Sequence, residues 1–146
     1  MKSTLCLSLA IALVCLGGVA RGEGASDLFI LRSSAKAPDA LIADIKAYSE
    51  QKKWQHFGES KVKNGEVSLV KVCIPAVGQV LWSAGLQLSA MLPCGNIGIY
   101  RKGEATEISV LHPRYMKVLY PHPATERASA VAQPLLIDML DAVTRP

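Results

Sequence analysis

The dipeptide Asn64-Gly65, set between two runs of alternating side chains, constrains this chain more than any other feature. Asn-Gly supplies the positive backbone angles that a tight hairpin demands. The flanking runs, "WQHFGESKV" and "VSLVKVCI", carry the residue types of strands. A hairpin commits its two strands to antiparallel pairing, because parallel neighbours need a crossover of a dozen residues or more.

The rest of the chain reads outward from that hairpin. "DLFILRS", Asp27 to Ser33, predicts a first strand, and Leu41, Ile42, Ile45 and Tyr48 recur at helical spacing from about Pro38 to Lys52. Pro75 opens a short helix bearing Val77, Val80, Leu81 and Ala84, which Gly85 is placed to stop. "NIGIYR" and "TEISVL" predict two more strands joined through Lys102-Gly103-Glu104, and Pro113 begins a helical turn holding Tyr115, Met116 and Leu119. A last helix runs from about Pro123 to Val143, with Pro134 kinking or dividing it. The predicted fold class is α+β: one compact domain with a mostly antiparallel sheet, helices on one face and the order β-α-β-β-α-β-β-α.

Export is expected from the N-terminus. Lys2, the apolar run Leu5 to Leu16 and the small residues Gly17 to Ala20 follow the order of a cleavable signal peptide. The run is too short for a membrane span, which needs roughly twenty apolar residues. The reading is a signal peptide over residues 1–22, a single domain over 23–146, no membrane insertion after cleavage, and a destination in the bacterial periplasm or outside the cell. Removal of Lys2 and Arg21, one positive charge each, lowers the formal net charge from +4 to +2. So even a balance creates no one-signed field for nucleic acid. Lys52, Lys53, Lys61, Lys63 and Lys71 read as a solvated strand edge.

Processing would leave two of the four cysteines, Cys73 and Cys94. An even count in an oxidising compartment makes a disulfide the default possibility. A Cys73–Cys94 bond would close a loop of about twenty residues and contribute roughly 3 kcal/mol. Geometry decides. A crossover between parallel strands would leave the two cysteines at opposite sheet edges, whereas a helix stopping at Gly85 lets Leu86 to Pro93 return the chain near Cys73. For Cys94, in the corner "MLPCGNIGIY", three readings stand: a buried small hydrophobe, half of a structural disulfide, or a reactive or ligand-holding thiol stabilised by free backbone amides. Cys73 shares a strand face with Leu69 and Lys71, while Val70, Val72 and Ile74 form the better core face.

Two thiolates with the thioether of Met91 would suit a soft metal ion such as Cu(I), though Met91 beside Leu92 reads first as core filling, and no metal centre is assigned. A sulfur-containing small molecule is the other ligand class such a corner would take. His112 precedes Pro113 and is a secondary candidate; His122 precedes Pro123 as an ordinary residue at a helix start, and His56 on a hairpin strand reads as exposed. Glu104 and Glu107, beside a turn, read as solvated charge. The chain has no Gly-x-Ser-x-Gly elbow, no phosphate-cradling glycine loop, no His-Glu-x-x-His and no Cys-x-x-Cys.

From about Tyr48 to Tyr120, through "VCIPAVGQVLWSAG", "MLPCGNIGIY" and "VLHPRYMKVL", the sequence resembles the uncharacterised family called domain of unknown function 302. The matching positions are Cys73, Pro75, Leu92, Pro93, Cys94, Ile99, Tyr100 and Pro113. Ile74 and Gly95 depart from the family pattern, which commonly has Asn and a basic residue there. The resemblance implies a compact α+β domain and no particular reaction or cofactor. The functional expectation is an exported accessory protein whose Leu-Pro-Cys corner binds a soft ligand or takes part in thiol–disulfide chemistry. The alternative is a non-catalytic interaction domain with purely structural cysteines.

Overall fold

The computed structural model describes residues 28–92 and 96–146. The expected signal peptide and the Pro93-Cys94-Gly95 corner lie outside the described residues. The elements are β1 (Phe29–Ser34), α1 (Pro38–Gln51), β2 (Gln55–Val62), β3 (Val67–Cys73), α2 (Pro75–Trp82), β4 (Asn96–Lys102), β5 (Ala105–Leu111), α3 (Tyr115–Leu119) and α4 (Pro123–Thr144). This is the expected α+β order, with the turn after Pro113 formed as the five-residue helix α3.

Three helices, α1, α2 and α4, begin on a proline. Its fixed backbone angle suits the first helical turn, where the missing N–H has no intrahelical partner to lose. At α4 the start is reinforced by His122, whose Nδ1 accepts from the Ala124 N–H at 3.1 Å, while the Thr125 hydroxyl oxygen accepts from the His122 N–H at 3.2 Å. Pro134 does not divide α4, which runs through it for 22 residues. Buried side chains hold the helix down on both sides of that proline: Ala124, Ala128 and Ala132 before it, and Leu136, Met139, Leu140 and Val143 after it.

The five strands lie in the order β1-β5-β4-β3-β2, every neighbour antiparallel. Helix α1 therefore carries the chain from one edge of the sheet to the other, and β2 to β5 return strand by strand. Ile30, Val70, Val72, Ile97, Ile99, Ile108 and Val110 turn one sheet face toward the helices and join the apolar residues of α1, α2 and α4 in a single core. The hairpin at Asn64-Gly65 forms, with a four-residue loop, Lys63 to Glu66, in place of a two-residue turn: Lys63, Asn64 and Gly65 all take positive φ, and Val62 faces Val67.

Strands β3 and β4 are adjacent and antiparallel, so the segment between them is not a crossover. Helix α2 leaves the end of β3, and Gly85, at φ 142°, turns the chain. A 3₁₀ segment, Leu86–Met91, then brings it back to the start of β4. Ridged by Trp82, whose indole N–H donates to the Ser89 hydroxyl at 2.9 Å, this excursion folds on itself.

Candidate functional site

Cys73 ends β3, immediately before Ile74 and the helix-opening Pro75. Its face of the strand is that of Leu69 and Lys71, turned away from the helices, yet it is only 5% exposed. It stands outside the core cluster and is engaged by a further interaction. On one side it faces Gln55 of β2. On the other, the β3–β4 ladder pairs Val67 with Tyr100, Leu69 with Gly98 and Lys71 with Asn96, where it stops short of the Leu-Pro-Cys corner.

The described residues around that corner are tied to one another. Met91 closes the 3₁₀ segment with its side chain against the core, as its neighbour Leu92 suggests, and its carbonyl accepts from the Tyr115 hydroxyl at 2.8 Å. Burial raises the Tyr115 hydroxyl above its ordinary range. His112 sits one residue past β5. Its backbone N–H donates to the Leu28 carbonyl at 2.7 Å, and its Nδ1 accepts from the Arg114 N–H at 3.1 Å. Both His112 and Arg114 make additional interactions. The structure thus brings Met91 to Tyr115, a residue that the sequence marked only as part of a helical turn. Among the described residues no group of three or more His, Cys, Asp or Glu side chains is arranged to hold a metal ion.

A second cluster occupies the sheet face turned away from the helices. Tyr100 and Glu107 face each other across the β4–β5 hairpin, and the tyrosine hydroxyl donates to Glu107 Oε1. Lys102 Nζ donates to Glu107 Oε2 at 2.9 Å. Glu107 is 7% exposed, which corrects its reading as solvated charge: opposite Tyr100 and diagonal to Lys102, it lies beneath two longer side chains. The bonds from Lys102 and Tyr100 hold its carboxyl below the usual carboxylate range, and the same contact, aided by burial, pushes the Tyr100 hydroxyl up to about 12. Beside them Gly98 leaves a gap in the face, into which the Ser109 hydroxyl projects to within 2.7 Å of where a Cβ would stand.

His56 also departs from expectation. It is partly covered rather than exposed, on the helix-facing side opposite Val72. Its Nε2 is buried without a hydrogen-bond partner among the described residues, and Glu59 Oε1 lies 3.8 Å away. The lysines do not form one basic field. Lys63 pairs with Glu66 at 2.7 Å, and Lys61 shares a recess of about 430 Å³ with Asp39, Glu66 and Arg101, so both signs line it.

No known family profile matches the chain, and no curated protein matches it. Among solved structures it is similar to that of an uncharacterised conserved protein, DUF302, from Bacillus stearothermophilus. The TM-score is 0.71 at 16% identity, over 81% of this chain and 98% of that one. The fold is a DUF302-like domain.

Proposed function

We propose that this protein is an exported, non-catalytic interaction domain in which Cys73 and Cys94 form a structural disulfide. The observation that carries the reading is the β3–β4 register. Its pairs run from Val67 and Tyr100 to Lys71 and Asn96. Two further steps of the same ladder would set Cys94 opposite Cys73. Cross-strand neighbours have their Cβ atoms about 4.5–5.5 Å apart, close to the range a disulfide spans after slight adjustment. Cys73 is buried and is already engaged by an interaction.

Such a bond would pin both ends of the excursion made by α2 and the 3₁₀ segment. Its burial favours a structural role over thiol exchange, because exchange needs a thiolate to reach one of the sulfurs. Interaction is supported by the sheet's helix-free face. Phe29, Leu31 and Leu111, on the adjacent strands β1 and β5, stand partly exposed there among polar side chains that already have partners. Contiguous apolar surface of this kind marks binding sites more often than chance exposure does.

The test is native-state reduction. The folded protein is incubated with glutathione and its free thiols are trapped, in parallel with a sample in denaturant. A structural bond persists in the folded sample and is reduced in the unfolded one. Rapid reduction of the folded protein would contradict the proposal and restore a thiol–disulfide or soft-ligand role centred on Cys94.

A further inference from the structure

The segment from His112 to His122 is held at both ends. In each of its two His-Pro steps, His112-Pro113 and His122-Pro123, the imidazole Nδ1 accepts from the backbone N–H two residues on, that of Arg114 or Ala124, at 3.1 Å. Between these caps Met116 is fully buried, the Tyr115 hydroxyl donates to the Met91 carbonyl at 2.8 Å, and the Thr125 hydroxyl donates to the Tyr120 carbonyl at 2.6 Å.

The end of α3 nevertheless stands clear of the body. Val118 and Leu119 are each 70% exposed and Tyr120 is 41% exposed, the only run of three consecutive exposed large apolar side chains among the described residues. Successive helix residues point about 100° apart, so one flat neighbouring surface does not cover Val118 and Leu119 together. They form a knob, not a stripe. With its flanks anchored, the knob is a fixed projection of the fold, and it suits an apolar medium that closes around it from every side.

Positive charge stands at its base. Lys117, immediately before the knob, is exposed and forms no ion pair among the described residues. It lines a recess of about 550 Å³ between α3 and α4 with His112, Arg114, Glu126, Ser129 and Gln133. Arg114 is engaged by a further interaction there, and Glu126 sets one negative charge against the two positive ones, so the recess stays net positive. The Ser129 hydroxyl and the Gln133 amide add hydrogen-bond donors.

We propose that α3 docks this protein on a lipid bilayer that carries anionic phospholipid. Val118 and Leu119 enter the acyl boundary, Tyr120 lies at headgroup depth, where amphipathic rings collect, and the lipid phosphate meets Lys117 at the mouth of the recess. This is docking on the surface, because no described helix is long and apolar enough to cross a membrane. It uses the helix layer rather than the sheet face, and it stands whether or not the two cysteines are joined.

Flotation of the purified protein with phosphatidylcholine vesicles, with and without phosphatidylglycerol, tests this. Residues 1–27 are the same in every variant, so any part they take cancels in the comparison. The wild type is expected to bind the phosphatidylglycerol vesicles at least roughly tenfold more tightly than the neutral ones, and less tightly as salt is raised. Leu119→Asp and Lys117→Glu each weaken that binding at least roughly tenfold, with unchanged circular dichroism. Leu86→Asp, at a leucine 75% exposed outside the knob, leaves it unchanged. Should Leu119→Asp lose its fold, Val118→Asp decides in its place. A wild type that binds neither kind of vesicle overturns the proposal, including one whose knob fits a socket on another protein. Equal binding to neutral vesicles overturns it too. So does a folded Leu119 or Lys117 variant that binds like the wild type, or a Leu86→Asp variant that binds as weakly as Leu119→Asp.

Discussion

Tyr100 and Glu107 face each other across the β4–β5 hairpin, the phenol donating to a carboxylate that is almost wholly covered. The consequence is a split in their titration. Tyr100 loses its proton at about 12 rather than at 10.0, so the neutral phenol is favoured by folding. That stabilisation is complete below pH 10 and disappears as pH rises through the folded value. Ultraviolet titration of the folded protein therefore includes a tyrosine that ionises at about 12, and Tyr100→Phe removes that step.

For Glu107 the sign is opposite. Its folded value lies below 4.5, so its contribution is present above that pH and is lost as acid protonates the folded carboxyl. Glu107→Gln keeps the shape but loses the charge that Lys102 and Tyr100 bind. It should cost about 1 kcal/mol in denaturant unfolding at neutral pH, flatten the acid limb of the stability curve and return Tyr100 toward 10.0. Persistence of the step at about 12 in Glu107→Gln would contradict the pairing.

This pair also shows where sequence reasoning reached its limit. Joining the two strands through Lys102-Gly103-Glu104 makes a three-residue turn, whereas the chain turns in two residues and pairs Lys102 with Ala105. That single step decides which residue faces Tyr100, because one residue of slip changes every side-chain partner on a strand. The hairpin at Asn64-Gly65, the proline-started helices and the α+β order were all legible, since each rests on local backbone chemistry. The placement of β1 beside β5, eighty residues away along the chain, has no local signal. The partial burial of His56 likewise depends on which face of an edge strand turns inward.

The cap on α4 is a residue with a measurable role. Replacing His122 with Ala removes the acceptor for the Ala124 N–H and half of the reciprocal bond with Thr125. Losses of this type cost about 1 kcal/mol. His122→Asn, which supplies an acceptor of similar reach, should recover most of it. Equal stability for the wild type and His122→Ala would remove the capping role.

Gly85 makes the excursion between β3 and β4 turn back. At φ 142° and ψ 143° it holds a conformation open essentially to glycine alone. Gly85→Ala should destabilise by roughly 1–3 kcal/mol. The nearest atoms to an added Cβ belong to the flexible Gln87 side chain, so Gln87→Ala in the same protein relieves the contact without relieving the backbone. Full rescue by that second change would assign the cost to crowding instead.

The central claim is the proposed bond between Cys73 and Cys94. The most direct measurement is peptide mass mapping of the protein purified with its thiols blocked at lysis, digested after alkylation in denaturant without reductant. The account predicts a single linked species containing Cys73 and Cys94, converted to two alkylated peptides only after reduction. Recovery of both peptides already alkylated, with no linked species, would contradict it.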